Sequence, residues 1–221
     1  MPAVVVVAEK QVGQPAVGQH VHRIRAQEAL LLAHVGIIAG FTYLPLRLVE
    51  LGGGPSDVAL NASVSAFAEI PAMLVAGAIA ARIGIRGLVG ASTLLYAACL
   101  ASWVVLDSPG LIVATRVLTG FAFAGIWVGS VLTMAVLLPP RLQATGQGLY
   151  QLTGFGIGAI IANVGGGALY GWLGSGVVFA LAAIAAALAG LLASAVFPRR
   201  GERVAREEDS VVPVPFPATP G

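Results

Sequence analysis

Six stretches of this sequence are each long and apolar enough to cross a lipid bilayer as an α-helix. A hydrocarbon core about 30 Å thick requires about 20 predominantly apolar residues in a helix. The stretches cover approximately residues 27–48, 57–80, 87–106, 109–138, 145–172 and 176–197. Because lipid offers the backbone no hydrogen bonds, such stretches must form helices, and this requirement constrains the fold more than any motif.

The composition agrees with a membrane protein, since 57% of the residues are hydrophobic and only 10% are charged. A soluble domain carries about 25% charged residues. We therefore predict an all-α, polytopic membrane protein with six transmembrane helices. Its predicted parts are a loose cytoplasmic N-terminal arm (1–26), a six-helix bundle (27–197) and a disordered, Pro-rich cytoplasmic tail (198–221).

The basic residues predict the orientation of the bundle. They cluster in the arm, in alternate connections and in the tail, as Arg23, Arg25, Arg82, Arg86, Arg141, Arg199, Arg200, Arg203 and Arg206. Cytoplasmic loops carry such an excess of arginine, so both termini are predicted to be cytoplasmic in a cell (inner or plasma) membrane, surrounded by lipids. This assignment leaves no basic face for a nucleic acid, which we exclude as a partner.

Two similar signals lie at the ends of the second and fifth stretches. Residues 77–79 (GAI) lead to Gly84, and residues 167–169 (GAL) lead to Gly174 at the same spacing. The echo predicts two three-helix repeats, as in many secondary transporters. Chance similarity in a chain with 29 glycines is the alternative.

The segment GAIAARIGIRG (77–87) resembles the loop signature of the major facilitator superfamily. In that signature a glycine ends a helix, and arginine, glycine and a further basic residue follow in a cytoplasmic turn. The family usually has an aspartate where this chain has Ala81, which removes that charge from the turn. The resemblance implies a gating loop that contains Gly77, Arg82, Gly84 and Arg86.

Three further segments are similar to the branch of this family that contains lactose, sucrose and nucleoside proton symporters. They are FTYLPL (41–46), LQATGQGLY (142–150) and GGGALY (165–170). The resemblance covers about residues 30–197 and matches the C-terminal six-helix half of a twelve-helix transporter. It therefore implies that a second half, from a homodimer or another six-helix chain, completes the protein.

A polar stripe crosses the second stretch. Asp57, Asn61, Ser65 and Glu69 recur every four residues, and Glu69 lies about 18 Å along the helix from Asp57. A carboxylate at that depth must face the bundle, a partner or water. His34 lies at a similar depth in the first stretch, so the two are candidates for proton coupling. The alternative is a fixed hydrogen bond that joins two helices.

The fourth stretch presents Arg116, Thr119, Phe123 and Trp127 on one helical face. A cation beside aromatic rings suits a polar solute with an apolar face, such as a sugar or a nucleoside. Packing for the aromatic residues and helix pairing for Arg116 are the alternatives. In lactose permease-like proteins a histidine and a glutamate for proton coupling follow the basic residue. This chain has Thr119 and Ala122 there, so coupling would rest on Glu69 or on a partner.

The fifth stretch presents Gln147, Tyr150 and Gln151 on one side, where they could line the mouth of a cavity. Gly154 and Gly158 on the same side suit close helix packing. The third and sixth stretches carry no charge. This asymmetry agrees with the resemblance, because the third and sixth helices of each half face lipid in the superfamily.

No catalytic, phosphate-binding or metal-binding motif is present in the sequence, so we predict no enzymatic activity, no cofactor and no metal. The predicted function is secondary active transport of a small polar solute, linked to protons. The alternative is a non-transporting membrane scaffold or a truncated remnant of a twelve-helix transporter. In that case Glu69 could be replaced without effect.

Overall fold

The computed structural model describes residues 17–138 and 140–196, which are helical apart from short turns. The helices are α1 (Val17–Glu50), α2 (Pro55–Val105), α3 (Pro109–Leu137), α4 (Pro140–Gln151), α5 (Gly158–Ile160), α6 (Gly166–Leu173) and α7 (Ser175–Val196). Two π-helical segments, π1 (Leu152–Ile157) and π2 (Ile161–Gly165), join α4, α5 and α6 into one continuous rod, Pro140–Leu173. The prediction of an all-α protein is confirmed for these described residues.

Five helical units in the described chain are long and apolar enough to cross a membrane, because α2 counts as one helix of 51 residues. Gly84 interrupts α2 with φ 80° and ψ 160°, a conformation that is essentially restricted to glycine. Arg116 contacts both Asn61 and Trp103. In a straight helix those two residues would be about 63 Å apart. The chain therefore folds back at Gly84 into two antiparallel segments, 55–83 and 85–105.

Gly84 and Gly174 have nearly the same backbone conformation, since Gly174 has φ 81° and ψ 176°. Each glycine ends one helical segment and begins the next almost without a loop. Gly77, by contrast, is helical, and the segment continues beyond it and beyond the predicted end at residue 80. The glycine that turns the chain is thus Gly84 and not Gly77.

The ends of the chain differ in part from the prediction. Helix α1 begins at Val17, so residues 17–26 are helical where a loose arm was expected up to residue 26. The physical reason is that this segment contains neither proline nor a run of turn-forming residues to stop the helix. The rest of the predicted arm and the tail (198–221) lie outside the described residues.

The apolar core lies between α1, the 85–105 segment, α3 and α7. Its largest fully buried side chains include Tyr96, Trp103 and Phe179. Small residues bring the helices close together: a Cβ atom on Gly36 would lie 3.1 Å from the Cβ atom of Ala186. Such close backbone approach is how membrane helices gain van der Waals contact when lipid supplies no hydrophobic driving force.

The rod 140–173 is the least buried of the five units and packs mainly against α1. Tyr43 of α1 donates its hydroxyl hydrogen towards the π2 carbonyl oxygens of Ala162 (3.3 Å) and Asn163 (3.0 Å). Gly166 makes room for the Tyr43 ring, because a Cβ atom there would lie 2.7 Å from it. Tyr43 therefore fixes α1 against the irregular part of the rod.

A polar cluster ties the helix ends together on the side opposite the Gly84 turn. Arg47 donates to Asp107 (3.2 Å) and lies 3.7 Å from the Glu50 carboxylate. Glu50 in turn accepts hydrogen bonds from the hydroxyl groups of Tyr170 and Ser175. The cluster joins the end of α1 to the α2–α3 connection and to the α6–α7 connection.

Candidate functional site

The predicted polar stripe of α2 lies against α3. The Ser65 hydroxyl donates to a Glu69 carboxylate oxygen at 3.0 Å. Gly120 allows α3 to approach α2 closely at this point, since a Cβ atom there would lie 2.6 Å from the Ser65 carbonyl oxygen. Ser65 is fully buried and Glu69 is half-buried. The carboxylate is thus held at the α2–α3 interface and keeps part of its surface accessible.

Arg116 is buried in the same interface, with 1% of its surface exposed. Its Nε–H donates to the Asn61 carbonyl oxygen at 3.0 Å, and its Nη1 donates to the Thr119 hydroxyl at 2.9 Å. The guanidinium carbon lies 5.4 Å from the Phe41 ring centre and 5.9 Å from that of Trp103. Two hydrogen bonds and two ring faces thus compensate a buried cation.

Within the described chain Arg116 forms no salt bridge at 4 Å or less, since both salt bridges there involve Arg47. The Glu69 carboxylate is nevertheless close enough to interact electrostatically with Arg116. Burying a cation without a close counter-charge costs free energy. A negative charge close to Arg116, on Glu69 or on a solute, therefore stabilises the buried guanidinium group, and loss of the Glu69 charge destabilises it.

A row of aromatic rings continues from Arg116 along the inside of α1, α3 and the rod. We call the six residues Phe41, Phe123, Trp127, Phe155, His34 and Tyr150 the aromatic row. Successive ring centres in that order are 6.1, 5.9, 6.1, 4.8 and 5.1 Å apart. Phe41 is 43% exposed and Phe155 is 37% exposed, so the row offers an accessible apolar surface at its Phe41 end and again at Phe155.

His34 lies near the Tyr150 end of this row, away from the polar stripe of α2. Its Nδ1 is 2.7 Å from the Leu30 carbonyl oxygen, and Tyr150 and Phe155 meet its ring edge to face. Gly154 packs directly against the imidazole. His34 and Glu69 thus have separate partners and form no hydrogen bond with each other, although the sequence predicted similar depths for them.

Three buried polar atoms near these groups have no hydrogen-bonding partner among the described residues. They are the Asn61 Oδ1, the Gln147 Oε1 and the Tyr150 hydroxyl oxygen. Asn61 is 5% exposed and Tyr150 is 6% exposed. An unpaired buried polar group costs about 1–3 kcal/mol. Atoms of this kind are therefore suited to bind a solute or water in the working protein.

The structure brings most of the predicted site residues together in two neighbouring groups. The first group contains Asn61, Ser65, Glu69, Arg116 and Thr119, and the second contains Phe123, Trp127, Tyr150 and His34. Gln147 lies one turn before Tyr150, and Gln151 is half-buried beside it. Phe41 links the two groups because it contacts both Arg116 and Phe123.

Two members of the aromatic row were absent from the predicted site. Phe41 lies seven residues after His34, and Phe155 lies four residues after Gln151. Both spacings place side chains on one helical face, so the helical period contained the signal. Phenylalanine and tryptophan residues entered the predicted site only on the fourth stretch, where they accompany Arg116, and Phe41 and Phe155 lie on other stretches.

The predicted gating loop lies at the turn of α2, away from both groups. Gly84 forms the turn, and Gly77 precedes it by two helical turns. Arg82 is exposed and engaged with a neighbour, whereas Arg86 is half-buried. The loop therefore joins the two segments of α2 at the end of the bundle where the prediction places the cytoplasm.

The comparisons with known proteins bear on the whole bundle. A search of curated proteins gave no match. The family model described as Major Facilitator Superfamily matches residues 29–218, which is most of the chain and includes both groups of site residues. The chain therefore belongs to the major facilitator superfamily.

Proposed function

We propose that this chain is half of a secondary active transporter that moves a small polar solute with an apolar ring face, such as a sugar or a nucleoside. Membership of a superfamily of transporters favours transport over catalysis. The observation that carries the substrate class is the aromatic row, which has unpaired polar atoms at both ends. A ring packs on exposed aromatic faces, and its polar substituents bind groups such as Gln147 and Asn61.

Proton linkage rests on Glu69 in this proposal. Its carboxylate is half-buried, accepts a hydrogen bond from Ser65 and lies within the field of Arg116. Uptake of a proton neutralises Glu69 and removes a negative charge that interacts with Arg116. A change of that kind alters the balance between two packings of α2 and α3, which is what coupling requires. His34 is the second candidate for proton handling, at the far end of the aromatic row.

The proposed architecture has six membrane crossings arranged as two three-helix units, equivalent to the C-terminal half of a twelve-helix transporter. The fold-back at Gly84 supports six crossings, because each segment of α2 is long enough to span the bilayer. The matching conformations of Gly84 and Gly174 support the repeat. Segments 41–46, 142–150 and 165–170 support the lactose, sucrose and nucleoside symporter branch.

A second half completes the solute pathway in this proposal. Transporters of this kind bind solute between two bundles that rock against each other. The exposed faces of Phe41 and Phe155 have no cover from the described chain. We propose that a second copy, in parallel orientation with both termini in the cytoplasm, covers them in the cell membrane, or that another six-helix chain does so.

The first experiment measures the native mass of the chain in lipid nanodiscs, expressed alone and together with its genetic neighbours. We expect a dimer or a one-to-one complex with another six-helix chain. A monomer in both preparations would favour a scaffold or a remnant over a transporter.

The second experiment measures transport by the assembled protein in proteoliposomes, with radiolabelled lactose, sucrose and uridine as probes. We expect Glu69→Gln to abolish accumulation driven by a proton gradient while exchange of the same solute continues. Glu28→Gln is the matched control, because Glu28 is exposed and lies outside both groups. Unchanged accumulation in Glu69→Gln would remove Glu69 from coupling, and equal loss of both activities would assign it a role in folding or binding.

A further inference from the structure

A pair of exposed polar side chains lies between α1 and the rod, at a depth where lipid offers no hydrogen bonds. The Thr42 hydroxyl donates to the Oδ1 atom of Asn163 at 2.9 Å, and both residues are exposed. Thr42 lies about 12 Å along α1 from its end at Glu50, and Asn163 lies about 15 Å along the rod from its end at Leu173. In a hydrocarbon core about 30 Å thick, both distances place the pair near the middle of the bilayer.

The helical position of Thr42 gives the direction in which the pair faces. Successive residues of an α-helix are about 100° apart around its axis. Phe41, on one side of Thr42, contacts α3, and Tyr43, on the other side, contacts the rod. Gly40, about 200° from Thr42, packs against the 85–105 segment. Thr42 therefore faces the opening between α3 and the rod, beside the exposed ring of Phe41 at the start of the aromatic row.

The backbone of Asn163 is held in place independently of its side chain. Asn163 lies in π2, and its main-chain carbonyl oxygen accepts a hydrogen bond from the Tyr43 hydroxyl at 3.0 Å. Gly166 admits the Tyr43 ring that makes this contact. Irregular π turns inside helices occur frequently at functional sites. The amide of Asn163 is thus presented from a fixed backbone into the open side of the bundle.

The Asn163 amide has hydrogen-bonding capacity that the described chain does not use. Since Oδ1 accepts from Thr42, the Nδ2 group points away from that hydroxyl, and it donates to no atom of the described chain. An amide nitrogen carries two N–H donors. Hydrocarbon has no acceptor for them, and unpaired polar groups are costly there. The occupant of this position must therefore supply an acceptor atom, which a lipid acyl chain lacks.

We propose that Thr42 and Asn163 form a further binding position for the transported solute, at which the Asn163 amide donates to an oxygen atom on the edge of the solute ring. This inference rests on the proposed transport function and makes its substrate class more specific. The exposed Phe41 ring packs on the apolar face of the solute, and the neighbouring amide requires a hydroxyl or carbonyl oxygen beside that face. An ammonium group has no acceptor, so the position favours oxygen-rich rings over organic amines.

The first test measures whether water and solute reach this position. Asn163→Cys is made in a Cys99→Ala chain, assembled in proteoliposomes and treated with a charged methanethiosulfonate reagent, which reacts with thiolates in water. We expect reaction, and we expect lactose, sucrose or uridine to slow it. Ile184→Cys is the matched control, because Ile184 is 56% exposed in α7 and should stay unreactive in lipid.

Three results of this labelling would overturn the inference. An unreactive Asn163→Cys would place the side chain in lipid, and a disulfide between two copies would assign it to a contact between subunits. Labelling that none of the three probes slows would remove it from solute binding. A monomer in nanodiscs would remove the transport proposal and this inference with it, whereas normal transport together with any of the three results would overturn the inference alone.

The second test measures the affinity for the probe that gives protection. Asn163→Leu removes both donors and should weaken binding about five- to tenfold, the effect of one lost hydrogen bond. Thr42→Val should weaken it less, because the amide remains and loses only the hydroxyl that orients it. Ser63→Ala is the control: Ser63 is an exposed residue of α2 whose hydroxyl bonds its own helix.

Stability separates a binding role from a packing role. Unfolding of Asn163→Leu in SDS should match that of the unchanged protein, because Tyr43 bonds the main chain of Asn163 and not its side chain. Unchanged affinity in Asn163→Leu, or a loss of affinity that accompanies an equal loss in Ser63→Ala, would contradict the inference. Lower stability of Asn163→Leu with normal affinity would assign the pair to helix packing.

Discussion

The guanidinium group of Arg116 donates a hydrogen bond from Nε to the main-chain carbonyl oxygen of Asn61 at 3.0 Å. This bond joins the first third of α3 to the first segment of α2. Asn61 lies six residues after the start of α2 at Pro55, and its carbonyl oxygen accepts the bond in addition to the regular bonds of the helix. Arg116 therefore organises the polar group from inside, with 1% of its surface exposed.

Arg116→Lys should destabilise the protein although the charge is kept. An ammonium group cannot reach the Asn61 carbonyl and the Thr119 hydroxyl with the same planar geometry, and it loses the stacking on Phe41. We expect a loss of about 1.5–3 kcal/mol in the free energy of unfolding. Titration with SDS in mixed micelles measures it.

Arg141→Lys is the control for this change, because Arg141 is exposed at the start of α4. It should alter the free energy of unfolding by less than about 0.5 kcal/mol. Similar values for the two variants would contradict a fixed role for the guanidinium group of Arg116.

Gly84→Ala should destabilise the turn of α2. Gly84 has φ 80° and ψ 160°, where a Cβ atom clashes with its own backbone, and such strain costs about 1–3 kcal/mol. Gly77→Ala is the control from the same segment: Gly77 is helical and no atom lies within 4 Å of the added Cβ. The control should be neutral or stabilising by up to about 1 kcal/mol.

The same SDS titration compares these two glycine variants. If Gly77→Ala proved the more damaging of the two, the helix would end at Gly77, as the loop signature first suggested. The fold-back at Gly84 would then be wrong.

The sequence predicts the helices well because lipid restricts the choice of secondary structure. Runs of apolar residues locate the helices, and the spacing of Gly84 and Gly174 locates two turns. The period of 3.6 residues also places Arg116, Thr119 and Phe123 on one face of α3, as predicted. These inferences use only the residues of one helix at a time.

Contacts between helices are harder to predict. Depth in the membrane suggested a pair formed by His34 and Glu69, but depth leaves open the direction in which each side chain points. The structure directs His34 towards the rod, where Gly154 and Gly158 admit it, and directs Glu69 towards α3. The π segments were also not predicted, because GFGIG offers few side chains from which to infer a helical period.

Gly154→Ala should disturb the packing of α1 against the rod. The added Cβ atom would lie 2.6 Å from the Cδ2 atom of His34, whose ring is held by the Leu30 carbonyl and by Phe155. Overpacking of this kind costs about 1–3 kcal/mol. The free energy of unfolding measures the cost.

Gly148→Ala is the control, since no atom lies within 4 Å of its added Cβ. Helix propensity predicts a gain of up to about 1 kcal/mol there. An equal effect at the two positions would show that the rod does not pack on His34 as described.

Two tyrosines separate stability from solute binding. Tyr43→Phe removes the bonds to the Ala162 and Asn163 carbonyl oxygens and should cost about 1 kcal/mol. Tyr150→Phe removes a buried hydroxyl that has no hydrogen-bonding partner in the described chain, so stability should stay the same or rise. If the proposed solute pathway is right, affinity for the solute should fall in Tyr150→Phe alone, because the Tyr150 hydroxyl has no hydrogen-bonding partner in the described chain. Unfolding and solute binding are measured on the same preparations, so each variant serves as the control for the other. A Tyr150→Phe protein with lower stability and normal affinity would assign the hydroxyl to the core and remove it from the solute pathway.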